Sequence, residues 1–241
     1  MEQALNVVYW CTLPIASISS MRDSVLPFVS HERSKNLGDQ VADSIVSAAI
    51  HGHLVQGQRL IESELADAFG VSRVPVRGAL HTLAGQGIVI PLPNREVRLV
   101  TITADMLEQM LSVRLVLEAH AADLAFGAIK KNPKLLTPFE DAVDDMQRAF
   151  RKGSPFLAAQ ADMEFHRALY AASGNSMLLE IWDRMAKKIL IAVGLSLYQN
   201  PENLVVEDHL ALLEMLRAGN RKTFKEHLQP HIMEARARFK V

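Results

Sequence analysis

The chain has 241 residues, 49% of them hydrophobic and 22% charged, with a net charge of −1 and a single cysteine. That length allows one large or two small domains of an ordinary globular protein. The balanced charge excludes a global electrostatic footprint for nucleic acid, so any such surface must be local. One cysteine excludes an internal disulfide and fits a reducing cytoplasm, and no run of eighteen apolar residues is present to span a membrane.

Residues 1–35 read as an N-terminal arm. The segment Leu5 to Ile18 is apolar, but the only charge before it is Glu2. A secretory leader needs Lys or Arg there, so none is read. Met21 is an alternative start, and the arm is assigned no function.

Residues 36–102 follow a different logic. Leu37, Val41, Ile45, Ala48 and Ala49 recur at helical spacing, and Gly52 is a stop. Ile61 to Phe69 predicts a short helix, closed by Gly70 in a left-handed cap. Ser72 is an N-cap, with Pro75 in the first turn of a helix that runs through Val76, Leu80 and Leu83 to Gln86. After Gly87, Ile88-Val89-Ile90 and Val97 to Thr101 predict two short strands joined by a turn at Pro91-Leu92-Pro93-Asn94. The expectation is helix, helix–turn–helix and a two-stranded wing.

In a helix–turn–helix the start of the second helix meets the major groove. Arg73 and Arg77, four residues apart, project from one face there and could reach phosphates or a guanine edge. Arg95 and Arg98 in the wing would add phosphate or minor-groove contacts. The plain alternative is two exposed arginines on an ordinary surface helix. Acids outnumber arginines between Leu37 and Thr101, so positive charge is confined to this helix and the wing.

The run from Gln58 to Ala66, then Gly70-Val71-Ser72-Arg73-Val74-Pro75-Val76-Arg77-Gly78-Ala79-Leu80, then Gly87-Ile88-Val89 resembles the winged helix of GntR-family bacterial transcription regulators. The Ser-Arg-x-Pro-Val-Arg core is the specific part. The resemblance implies that Ser72, Arg73 and Arg77 sit at operator DNA. Two departures stand out: Gln56-Gly57 replaces the usual Pro-Gly, and Glu96 replaces the usual wing-tip glycine. A carboxylate at that tip opposes phosphate and predicts an altered wing contact.

Residues 103–241 carry helical signal almost throughout. Thr103 or Asp105 caps a long helix to about Ala128, with Met106, Met110, Val113, Leu117 and Leu124 as its expected core face. Further helices are expected at Leu135–Arg151, Pro155–Ala172, Met177–Leu197, Leu204–Arg217 and Lys222–Phe239, with breaks rich in Gly, Asn, Ser and Pro. No fixed-period repeat is present, so an antiparallel bundle is favoured over a solenoid. The fold class is mainly α: a winged helix–turn–helix followed by an all-helical domain.

Asp162 and His166 lie one turn apart on an apolar helix face. Polar groups there cost free energy unless paired. His209 and His231 sit in the apolar stripes of two other helices. Three imidazoles and a carboxylate suit a divalent transition ion, zinc by default and nickel as an alternative. A lone core histidine is more often simply hydrogen-bonded; His120 and His227 are further histidines near inward faces.

Asp-x-x-x-His followed by Ser173-Gly174-Asn175, Glu207-Asp208-His209, Arg217-Ala218-Gly219-Asn220 and His231 resembles the FCD-type ligand-binding domain of the FadR-like branch of the same family. Arg114-Leu115-Val116-Leu117-Glu118 in the first helix resembles it too. The resemblance implies Asp162, His166, His209 and His231 as metal ligands. A small organic acid effector would bind the metal, with Arg114 as a second anchor or else an i,i+4 partner of Glu118 at the helix surface. Asn175 is a further pocket candidate, and Trp182 is read as core packing.

The leading expectation is an effector-controlled, cytoplasmic regulator that binds operator DNA as a homodimer. The alternatives are a metal-dependent hydrolase-like enzyme and a regulator with a purely structural metal. Catalysis is disfavoured because Glu164, two residues from both Asp162 and His166, points away from their face.

Overall fold

The computed structural model describes residues 36–93, 96–199 and 206–238, with side chains described as far as Met233. The N-terminal arm, Arg95 and the expected helix start at Leu204 lie outside the described residues.

The chain begins with α1, Leu37–Ile50, where the Asn36 side chain accepts a hydrogen bond from the Asp39 backbone N–H. Its buried face includes Val41, Ile45, Ala48 and Ala49, as the spacing predicts. Helix α2, Glu62–Phe69, ends at Gly70 with φ of 67°, a conformation that glycine adopts without a Cβ penalty. Ser72 is extended and opens α3, Arg73–Gly85. This is the expected helix–turn–helix.

The wing has one strand more than expected. β1, Arg59–Leu60, pairs with β3, Val97–Leu99, which also pairs with β2, Val89–Pro91, all antiparallel. A two-residue strand is too short for any alternation to show in sequence. Pro91 is tolerated because β2 is an edge strand.

A helical bundle follows: α4 Ala104–Lys131, a 3-10 turn Pro133–Leu136, α5 Thr137–Arg151, α6 Pro155–Ala172, α7 Ser176–Gln199, α8 Val206–Arg217 and α9 Arg221–Arg238. Thr103 caps α4 by accepting from the Met106 N–H. Helix α6 is the centre of the bundle, packed on α4, α5 and α7. Phe165 and Tyr170 of α6, Phe139 of α5 and Trp182 of α7 are fully buried around it. Each large apolar side chain so buried contributes about 1.5–3 kcal/mol, so α6 is firmly placed.

Helix α4 does not bury the face expected of it. Its core side is Leu107, Leu111, Arg114, Glu118, Ala121, Ala122 and Ala125, whereas Val113 and Leu124 are exposed. The helix is apolar on two sides, and the inward one carries an ion pair. That face wins because the bundle offers the pair a polar partner, described below.

The two halves touch through α1 and α7. Gly194 of α7 lies so close to α1 that a Cβ there would come within 2.6 Å of the Ile50 side chain. Further along, His51 and Tyr198 meet edge to face at 5.7 Å.

Candidate metal centre and nucleic-acid interface

Asp162 and His166 occupy successive turns of α6, and both face the bundle interior. His209 comes from α8 and His231 from α9, one residue beyond Pro230 within that helix. Asp162 Oδ1 lies 3.2 Å from His166 Nε2 and 3.2 Å from His209 Nε2. His231 Nε2 lies 3.2 Å from His166 Nε2. The three histidines each offer a nitrogen within 4.8 Å of the others. All three side chains are 8% exposed or less, and Asp162 is 15% exposed.

These distances have a simple chemical meaning. Ligands at about 2.0–2.1 Å around a tetrahedral zinc ion stand about 3.3 Å from one another. The three 3.2 Å separations match that spacing, and the donor set of three nitrogens and one carboxylate oxygen suits a divalent transition ion.

The electrostatics agree. Glu118 Oε2 accepts from His166 Nδ1 at 2.8 Å. That bond leaves the Nε2 lone pair pointing at the cluster, the arrangement that orients metal-binding histidines. Without a cation, His166 would have to carry two protons to satisfy both Glu118 and Asp162. Burial and the Arg114 charge push His166 down, but the Glu118 and Asp162 carboxylates outweigh them and raise it. Burial would raise Asp162, yet hydrogen bonds from His166 and His209 hold it well below the usual carboxylate range. His231 is driven down to about 3 by burial, against the pull of Asp208, so its ring is neutral and its lone pair available. The Asp208 carboxylate lies 3.8 Å from His231 Nδ1, beyond direct hydrogen-bond length.

The bond of Glu118 to His166 is the feature of the site that the sequence does not show. Glu118 is fully buried, and it also accepts from Arg114 Nε at 2.6 Å. The surface alternative for Arg114 is therefore overturned: the pair with Glu118 forms, but in the core, where Arg114 is 3% exposed. The Arg114 charge, with His166, overrides burial and holds the Glu118 carboxyl at about 2. The available signal was the placement of Arg114 and Glu118 in one helical stripe with Leu107, Leu111 and Ala121.

The aromatic wall is equally close. Trp182 lies 5.3 Å below the Arg114 guanidinium and stacks on Tyr170 at 5.0 Å. Phe165 meets His209 edge to face at 5.0 Å. The reading of Trp182 as core packing holds for its ring, which is fully buried.

Other sequence candidates are placed elsewhere. Asn175 caps α7, its side-chain oxygen accepting from the Met177 and Leu178 N–H groups. His120 is exposed and His227 half-buried, and neither joins the cluster. Glu164 is exposed on the opposite side of α6, as its position in the helix predicts.

At the other end of the molecule, Arg73 stands exposed at the first turn of α3, beside Ser72, whose hydroxyl makes no capping bond. Arg77 is exposed as well, but it grips Glu62 of α2 through three hydrogen bonds, Nε to Oε1 at 3.0 Å and to Oε2 at 3.3 Å, and Nη2 to Oε2 at 2.8 Å. In the wing, Arg98 donates to the Gly57 carbonyl at 2.8 Å and pairs with Glu96 at 2.6 Å. The wing-tip carboxylate is thus held by an arginine of its own hairpin. Arg95 lies outside the described residues.

Residues 37–98 match the family described as bacterial regulatory proteins, gntR family, and residues 109–234 match the FCD domain. The chain belongs to the GntR family, in the group that carries an FCD domain. It is 25% identical over 196 residues to the "Probable D-xylose utilization operon transcriptional repressor" of Paenarthrobacter nicotinovorans, covering 81% of this chain and 85% of that protein. It is 28% identical over 204 residues to the regulator LutR of Bacillus subtilis, covering 76% and 91%. The solved structure of Escherichia coli McbR shares its fold, with a TM-score of 0.68 and 23% identity over 84% of this chain and 96% of that one. This GntR-family chain is a transcriptional regulator, and no helix among its described residues is long and apolar enough to cross a membrane.

Proposed function

We propose that this regulator binds operator DNA as a homodimer and that a small carboxylate effector, held at a divalent metal ion, sets its DNA affinity. The observation that carries the reading is the convergence of Asp162, His166, His209 and His231 on one buried point, with Glu118 fixing the His166 tautomer. Those four residues would hold the ion, zinc by default and nickel as the alternative. When bound, the ion supplies a Lewis acid for a carboxylate oxygen.

The residues of this chain divide the remaining work. Arg114, already oriented by Glu118, offers its Nη2 to the effector's second carboxylate oxygen. Phe165, Trp182 and Tyr170 keep bulk water from the site. Asn175 serves by capping α7, the helix that links the two halves. Trp182 touches the site at one end of that helix, while Gly194 packs on Ile50 of α1 at the other. A shift of α7 on effector binding therefore moves α1, and with it α3 in each protomer. An effector coupling of about 1–3 kcal/mol is typical of such regulators.

On the DNA side, Arg73 and Ser72 meet the groove directly. Arg77 contributes its remaining guanidinium N–H while Glu62 holds it in place. Arg98, neutralised by Glu96, supports the wing rather than gripping phosphate, and Arg95 completes the wing contact. The enzyme alternative loses ground because Glu164 faces away and Glu118 is committed to Arg114 and His166.

The test is fluorescence anisotropy of a labelled duplex from the region upstream of the chain's own gene. Salt-sensitive, saturable binding that acetate, lactate or malonate shifts only in metal-loaded protein is the expected result. Binding indifferent to metal and to all three acids would defeat the reading.

A further inference from the structure

Besides His231 Nδ1 in the cluster itself, three buried hydrogen-bond donors beside it have no acceptor among the described residues: Arg114 Nη2 on α4, the Tyr170 hydroxyl on α6 and Trp182 Nε1 on α7. They lie together. Tyr170 is one turn beyond His166 on the ridge that carries Asp162, Tyr170 stacks on Trp182, and the Arg114 guanidinium sits over Trp182. Each residue is at most 3% exposed. An orphaned buried donor costs about 1–3 kcal/mol, and native cores rarely leave several in one place.

The chemistry of the set is one-sided: it offers N–H and O–H groups and wants acceptors. A monocarboxylate brings two oxygens. With one on the metal and one on Arg114, nothing remains for Tyr170 and Trp182. Building on the effector reading above, we propose that the Tyr170 hydroxyl and Trp182 Nε1 form a second recognition point, which selects acids carrying a further oxygen function, a hydroxyl or a second carboxylate, beside the metal-bound group. Burial keeps the Tyr170 phenol protonated, so it remains a donor at neutral pH. The two residues are positioned by separate helices, so an acid that engages both also ties α6 to α7.

The sequence contains two tryptophans, Trp10 and Trp182. Trp10→Phe in the full chain leaves Trp182 as the sole tryptophan and, with selective excitation, gives a direct readout. Metal-loaded Trp10→Phe protein is titrated with acetate, lactate and malonate, following Trp182 emission, with calorimetry for affinity. Lactate or malonate should bind about tenfold or more tighter than acetate, the effect of satisfying an otherwise orphaned donor. Adding Tyr170→Phe should erase most of that preference, bringing lactate and malonate toward the affinity of acetate. Should that variant fail to fold, Trp182→Phe followed by calorimetry alone tests the same loss. Equal affinity for all three acids, the result if the donors serve only bound water, overturns the selection and leaves the effector site standing. No binding of any acid overturns the effector site itself, and the selection with it.

Discussion

The two ends of the molecule handle charge in opposite ways. Around the helix–turn–helix, Arg77–Glu62 and Arg98–Glu96 join exposed arginines to half-buried carboxylates at the surface, and Arg73 stands exposed at the start of α3. In the bundle, Arg114, Glu118, His166, Asp162 and His209 form one continuous buried network. Exposed pairs contribute about 0–1 kcal/mol and are easily exchanged for phosphate. Breaking a buried pair costs about 3–5 kcal/mol because it strands a charge. The surface pairs can therefore be remodelled at low cost, as the proposed DNA contact requires, whereas the bundle network changes state only when something replaces a lost charge. That difference suits one end to binding DNA and the other to sensing.

The sharpest break of this contrast is Glu118→Ala. It strands Arg114 and releases His166, so urea unfolding should show a loss of about 3–5 kcal/mol. A loss below 1 kcal/mol would mean that the network behaves like a surface pair. The gentler Glu118→Gln tests orientation. Its amide can donate to His166 Nδ1, which moves the ring proton to Nε2 and spoils that ligand; metal affinity should fall about 10–100-fold. The same variant has a pH signature. Glu118 is held at about 2 against an ordinary 4.5, so its stabilisation is present above 4.5 and lost as pH falls from 4.5 toward 2. Glu118→Gln should flatten that acid limb in a denaturation series.

Next in size is the joint between the ends. Gly194→Ala drives a Cβ into Ile50, which is fully buried, and should cost about 1–3 kcal/mol by thermal unfolding. It should also weaken the effect of an acid effector on DNA binding while leaving metal content unchanged. On the DNA side, Arg73→Ala should cost about 1–3 kcal/mol in operator affinity with little change in stability. Smallest of all, Glu62→Gln loosens Arg77 and should alter stability by less than about 1 kcal/mol. A large stability loss there would erase the contrast between the two ends.

Much of this organisation was legible in the sequence, and the misses share a cause. The helix–turn–helix could be read because its signals are local: Gly70 closes α2, Ser72 opens α3, and the apolar residues keep helical spacing. Asp162 and His166 could be paired because four residues make one helical turn. Glu118 could not be joined to His166, since their bond spans 48 positions in the chain. The face of α4 was misassigned because Met106, Met110, Val113, Leu117 and Leu124 form a stripe as regular as the buried one, and only the tertiary partner of Arg114 and Glu118 decides between them. The strand β1 has two residues and no period of its own. The pairing of Glu96 with Arg98 rests on how the hairpin tip folds, which composition does not carry.

In the proposed reading, Asp162, His166, His209 and His231 hold one divalent ion, and the network around Glu118 orients its ligands. Elemental analysis of the purified full chain beside His209→Ala tests it most directly. About one zinc or nickel per chain in the parent and near none in the variant is the predicted result. A parent without bound metal after exposure to both ions, or a variant that retains the full complement, would contradict it.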